Sequence, residues 1–264
     1  MAYFAKAKSI WQATRTFLRR VQDYNSGGYI HCNDFADVGI TCSTLDLRSG
    51  KSSHGTVFIK PLSIEKLHSI FTEQQVFSTQ HLSNILDGWN IYDALEVANL
   101  IKHYMFFSNN MNYDGLIYEE STWQIREIDW KGGEELLHDD PDGHWRAEFI
   151  FDQIDNNTPH VSPVLIDNLP LHEDSLSLAE MCCILLCTAR RIRNRGYHCH
   201  RVIPVTVISL SGRSARVVHG YVDVSTNSLR IIKSPILELN KENTNQKIEL
   251  LVSWCLGQPI GSTK

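Results

Sequence analysis

Two apolar, β-branched runs, Val202 to Leu210 and Ala215 to Val224, are joined by Ser211-Gly212-Arg213-Ser214, and no other stretch of this 264-residue chain so restricts the folds open to it. Their length and the glycine-containing connection predict a β-hairpin. Just upstream, Leu178, Met181, Cys182, Leu185, Leu186 and Ala189 recur at helical spacing, which predicts a mostly buried helix. It stops in Arg190, Arg191, Arg193 and Arg195 before Gly196, basic residues and a glycine being a normal helix end. Downstream, Leu229 to Ile232 reads as a further strand and Gln246 to Leu256 as a last helix.

Toward the N-terminus, apolar positions from Ala94 to Met105 mark one face of a helix, with Asn90 or Asp93 as cap. Tyr113 to Tyr118 and Trp123 to Lys131 then read as two strands joined through Glu119, Glu120 and Ser121. Residues 63–87 hold two short helical patterns, and Asp87-Gly88 breaks the chain after them. Residues 22–62, rich in Gly, Ser, Asp and Thr, read as irregular apart from a strand at Val57-Phe58-Ile59. Residues 134–174 carry eleven acids and four prolines and read as an acidic looped insertion with one short strand, Arg146 to Phe151. The division expected is thus an N-terminal helical and irregular portion, 1–88, packed on a core of 89–264.

The first 22 residues contain five basic residues and no acid, with Phe4, Ile10, Trp11, Phe17, Leu18 and Val21 at helical spacing. A surface helix packed on the domain by Trp11 and Phe17 is the favoured reading, and a mitochondrial presequence is the alternative. A composition of 42% hydrophobic and 21% charged residues excludes disorder and fibrous repeats. No window is apolar enough to predict a membrane span. The seven cysteines are odd in number and form no CxxC pair, so neither a disulfide framework nor a structural zinc site is expected. An intracellular, reducing compartment fits, nuclear or cytoplasmic before mitochondrial.

Signatures for P-loop, dinucleotide-binding, zincin and α/β-hydrolase chemistry are absent from the sequence. More informative is Tyr113-Asp114-Gly115 followed by Glu127-Ile128-Asp129-Trp130-Lys131. Strand side chains alternate faces, so Glu127, Asp129 and Lys131 are expected on one face. With Asp114 on a neighbouring strand, two carboxylates suit a hard divalent cation, and the lysine suits a water or a phosphate oxygen.

These residues resemble the PD-(D/E)XK nuclease superfamily, whose core runs helix, acid-bearing hairpin with (D/E)-x-K, second helix and further strand. The resemblance spans roughly residues 90–224 as an element order, and Tyr113 stands where the name-giving motif has proline. It implies an α/β fold with a central mixed sheet flanked by helices, and metal-dependent cleavage of nucleic acid. It further implies that Asp114 and Asp129 bind Mg²⁺ or Mn²⁺, that Lys131 positions water, and that Glu96 or Glu127 completes the shell. A catalytically silent nuclease-like module that binds nucleic acid or protein is the alternative, and an unrelated small-molecule enzyme a third reading.

Charge adds a second signal: residues 181–222 contain seven arginines and no acid, although the whole chain carries a formal charge of -5. Arg190, Arg191, Arg193, Arg195 and Arg201 are the candidate phosphate contacts. The competing expectation is that such arginines pair with the acids of 134–174. Tyr197-His198-Cys199-His200 is read as a loop entering a strand, and His138 to His144 as a turn.

Overall fold

The computed structural model describes residues 2–24, 27–73, 93–106, 121–127, 144–155, 158–239 and 244–264. Among these residues the helices are α1 (Ala2–Asp23), α2 (Phe35–Val38), α3 (Ile64–Glu73), α4 (Ala94–Phe106), α5 (Leu178–Arg193) and α6 (Thr244–Cys255). The strands are β1 (Tyr29–His31), β2 (Ile40–Thr44), β3 (Ile59–Lys60), β4 (Trp123–Glu127), β5 (Trp145–Gln153), β6 (Val161–Asp167) and β7 (Ser175–Ser177). They continue with β8 (Val205–Ser211), β9 (Ser214–Asp223), β10 (Ser228–Lys233), β11 (Leu237–Glu238) and β12 (Gln258–Pro259).

An eight-stranded mixed sheet organises the molecule in the order β2-β10-β9-β8-β6-β5-β4, and β11 pairs with β9 beyond the reach of β10. β6 with β8 and β10 with β2 run parallel, and the other pairs are antiparallel. Alternation sends successive side chains to opposite faces. Phe149, Phe151, Val164, Ile166 and Ile208 pack with α3, α4 and α6, whereas Ile150, Val161, Leu165 and Val207 pack with α1, α2 and α5. Helices therefore cover both faces, which is why β6 and β8 are buried at every position. Gly220 on β9 permits close approach of α5, because a Cβ there would meet Ile184 and Ile231 side-chain atoms at 2.9 Å.

The predicted hairpin at 202–224 and the helix before it are present as β8–β9 and α5. Ser177 caps α5 by accepting the Glu180 N–H at 3.2 Å, while Glu180 accepts the Ser177 N–H at 2.9 Å. Arg216 of β9 donates from Nε to the same carboxylate at 2.6 Å, and a second guanidinium nitrogen holds its other oxygen. Its remaining nitrogen reaches the carbonyls of His172 and Ser175 at 2.8 and 3.1 Å, so helix start, strand and loop are tied at one buried point.

Two expectations about organisation change. The 134–174 stretch is not a looped insertion where it is described: the short strand expected at Arg146 to Phe151 lies within β5, and β6 adds a second, adjacent strand of the main sheet. Its prolines suggested a loop, and the sheet tolerates Pro163 through a gap. The β6–β8 pairing jumps from Val161↔Val205 to Val164↔Ile208, skipping Ser162 and Pro163, the second of which has no N–H to donate. Nor is the 22–62 segment merely irregular, because β2 pairs with β10 at the sheet edge and β1 pairs with β7. Among the described residues no helix is long and apolar enough to cross a membrane.

Candidate nucleic-acid interface

Helix α1 lies against α5, and the clusters at their ends run in opposite order along the two helices. Near its start, Phe4 meets His198 with ring centroids 5.5 Å apart, and Ile10 packs with Ile192, Tyr197 and Ile203. Farther along, Phe17 and Val21 join the cluster that contains Leu176 and Ala179 at the start of α5. Burying Ala7, Ile10, Thr14, Phe17 and Val21 turns the other side of the helix outward. Lys8, Arg15 and Arg19, seven and four residues apart, therefore share one exposed stripe.

The arginines that end α5 lie beside the N-terminal half of α1. The Arg193 guanidinium sits 5.4 Å from the Trp11 ring centre, and Arg190, Arg193 and Arg195 are exposed. Arg195 opens a 3-10 turn, Arg195–Tyr197, that Asn194 stabilises by accepting the Gly196 N–H at 2.9 Å. Arg201 is also exposed, with its backbone N–H held by the Thr263 carbonyl. Two basic stretches from distant parts of the sequence thus meet where Trp11 of α1 lies against Arg193 of α5.

Arg191 departs from that pattern. It donates to Asp152 Oδ1 at 2.6 Å, to the His160 carbonyl at 2.9 Å and to the Tyr197 hydroxyl at 3.0 Å. Arg126 on β4 donates from Nε to the other oxygen of Asp152 at 2.8 Å. Pairing with the acidic stretch is therefore the right account of Arg191, and Arg216 is likewise bound to a carboxylate, that of Glu180. Around the Asp152 junction lies a cavity of about 140 Å³, lined on its polar side by Arg126, Asp152, Arg190, Arg191, Asn194 and Tyr197. Sequence reasoning missed Arg126, Asp152 and Tyr197, because their meeting depends on pairing β4 with β5 and docking α5 across them.

Of the proposed metal-site residues, Asp114, Asp129 and Lys131 lie outside the described residues. Glu127 ends β4, in register with Phe149 of β5. Glu96 lies in the first turn of α4, where its N–H donates to the Asp93 carboxylate at 3.0 Å and its own carboxylate accepts the Asp93 N–H at 3.4 Å. That reciprocal cap gives Glu96 a structural task in starting the helix. Among the described residues, no group of three or more His, Cys, Asp and Glu side chains could hold a metal ion.

Three buried groups in the same layers have displaced titrations. Burial pushes His160 down to about 4 and His219 down to about 3, with nearby positive or histidine neighbours adding to the effect. Burial pushes Asp167 up to about 6, against the Leu169 N–H that its carboxylate accepts at 3.0 Å. His200, in the segment read as a loop, is buried with Nδ1 2.7 Å from the Thr263 hydroxyl. Comparison with protein families, with curated proteins and with solved structures finds no match to this chain.

Proposed function

We propose that this protein binds nucleic acid through the surface shared by α1 and the C-terminal end of α5. The observation that carries the reading is the antiparallel packing of those helices, which brings the N-terminal half of α1, with exposed Lys8, against the end of α5 with exposed Arg190, Arg193 and Arg195, while exposed Arg15 and Arg19 extend the basic stripe along α1. On a chain of net charge -5, a basic surface of this kind is a local departure that suits a polyanion. Arginine adds paired hydrogen bonds to phosphate, and the exposed positions cost little to desolvate.

The test is a fluorescence titration of labelled single- and double-stranded oligonucleotides at several salt concentrations. Replacing Arg190, Arg193 and Arg195 together by Gln should weaken binding and flatten the salt dependence, by about 0.7–0.9 in log–log slope for each phosphate no longer neutralised. No measurable affinity of the parent protein at low salt overturns the proposal.

A second reading, metal-dependent phosphodiester hydrolysis, is favoured by the described order of α4, β4, α5 and β8, with β4 ending two residues before Asp129-Trp130-Lys131. In that reading Asp114 and Asp129 bind Mg²⁺ or Mn²⁺, which would supply charge stabilisation at the phosphate. Lys131 holds the attacking water, and Glu127 rather than the helix-capping Glu96 is the better further carboxylate. Asp129→Asn should abolish Mg²⁺-dependent cleavage and leave the melting temperature nearly unchanged. Equal cleavage by variant and parent would remove hydrolysis from this site.

A further inference from the structure

We propose that the exposed ring of Phe4 is a stacking platform for an unpaired base, so that the nucleic acid held by the basic surface is single-stranded. The proposal rests on the nucleic-acid reading and adds to it the form of the strand. Among the described residues Phe4 is the most exposed large apolar side chain, at 63%. A lone exposed apolar residue is ordinary on a protein surface, and what sets this one apart is its position. Phe4, Lys8, Trp11 and Arg15 follow one another at intervals of four, three and four residues, which puts them on a single line along α1. Aromatic and basic side chains alternate along that line, which borders the buried face made by Ala7, Ile10, Thr14 and Phe17.

The two aromatic rings differ in what covers them. Trp11 lies under the Arg193 guanidinium, 5.4 Å from its ring centre, and packs with the cluster that holds Ile10, Ile192, Tyr197 and Ile203. That ring is engaged in holding the arginine. Phe4 meets His198 edge to face, with centroids 5.5 Å apart and ring planes at 72°. A contact of that kind engages at most one face of either ring, so a face of Phe4 stays open. His198 is itself fixed, because its Nε2–H donates to the Ile192 carbonyl at 3.0 Å and its backbone N–H to the Arg195 carbonyl at 3.2 Å. A ring that leans on a fixed neighbour loses less freedom when a ligand stacks on it.

Arg195 opens the 3-10 turn that His198 closes, so Phe4 is seated beside this end of the basic surface. Phosphate and base are then met by different groups. Lys8, one helical turn from Phe4, and exposed Arg193 and Arg195 supply charge for the backbone, while Phe4 supplies a flat apolar face that any base can cover. Bases inside a duplex are stacked on one another, so the ring gains no partner there. An unpaired strand presents phosphates and open base faces together.

The experiment measures, by fluorescence anisotropy on the full chain, the binding of a labelled oligothymidylate, an abasic strand of the same length and a duplex. Phe4→Ala should weaken oligothymidylate binding about five- to a hundredfold, the worth of one base–aromatic stack, and leave its salt slope as it was, because no phosphate contact is lost. It should not alter binding of the abasic strand, which has phosphates and no bases, or of the duplex. Phe4→Trp should restore the affinity, and melting curves establish that both variants fold. Oligothymidylate binding that Phe4→Ala leaves unchanged overturns the platform and keeps the basic surface, as does an equal loss on the abasic strand. No binding of any of these ligands to the parent protein at low salt overturns the nucleic-acid reading and the platform with it. Sedimentation with vesicles of equimolar phosphatidylcholine and phosphatidylserine that depends on Phe4, without oligonucleotide binding, assigns the ring to a lipid surface and likewise overturns both.

Discussion

Helix α5 is tied to the sheet by an arginine–carboxylate pair at each end, and the two pairs differ in the water they meet. At its start, Arg216 and Glu180 are 1% and 0% exposed, and the Glu180 carboxylate also closes the helix cap. At its end, Arg191 and Asp152 are 13% and 14% exposed, and Arg126, joined to the same Asp152, is 31% exposed. The first pair has its main hydrogen-bonding capacity used inside the fold. The second keeps an unused Arg191 donor and adjoins a cavity. Similar chemistry is therefore sealed inside the fold at one end and left within reach of solvent at the other.

The largest effect should come from breaking the sealed pair. Glu180→Gln leaves the Arg216 charge buried without its counter-ion and should cost about 3–5 kcal/mol in denaturant unfolding. Asp152→Asn, made at the open pair, should cost about 1 kcal/mol, because water screens the charges left behind. Equal losses in the two variants would show that exposure does not distinguish these ties.

The next effect is acid sensitivity beside the open end, where His160 lends its carbonyl to Arg191. His160 and His219 have lowered values in the folded state, so the unfolded chain binds more protons between about pH 4 and the ordinary histidine value near 6.5. Their contribution to stability is complete above that window and lost as the pH falls through it. Asp167, raised to about 6, acts oppositely, because the folded state binds the extra proton between the ordinary carboxylate value and 6. The histidines have the larger combined shift, so stability should fall by about 2–3 kcal/mol from pH 7 to pH 5. Chemical denaturation at each pH measures this, and a flat profile would contradict it.

Asp167→Asn probes the sealed end, where this carboxylate has one buried oxygen without a partner. The substitution removes a buried charge and should stabilise the protein by about 2 kcal/mol at pH 8, with little gain at pH 4. A gain independent of pH would point to packing instead. Smallest of all, Arg193→Gln should change stability by less than about 0.5 kcal/mol, since its guanidinium is exposed over Trp11. The same variant should weaken oligonucleotide binding, which separates the surface from the scaffold.

Much of the local structure was legible because its signals repeat within a few residues. The buried face of α5 and its basic end, the β8–β9 hairpin, and the Asp93 cap of α4 all follow from periodicity and capping chemistry. The basic character of α1 and of the end of α5 was equally plain. Strands β5 and β6 were harder to read, because acids and prolines within the same stretch suggested a loop. What overrode that signal was burial between helical layers and pairing on both strand edges.

Which segments have a helix or strand period, and where charge accumulates, could be read from the amino-acid order alone, because both depend on neighbours along the chain. Only the folded chain shows that α1 lies against α5, that β2 joins the far edge of the sheet, and that Asp152 receives Arg191 and Arg126. Folding also buries Arg216 and leaves Arg193 at the surface, although both belong to one acid-free stretch. Whether an arginine anchors the fold or stays at the surface depends on which distant carboxylate reaches it and on how much water remains, and local sequence encodes neither.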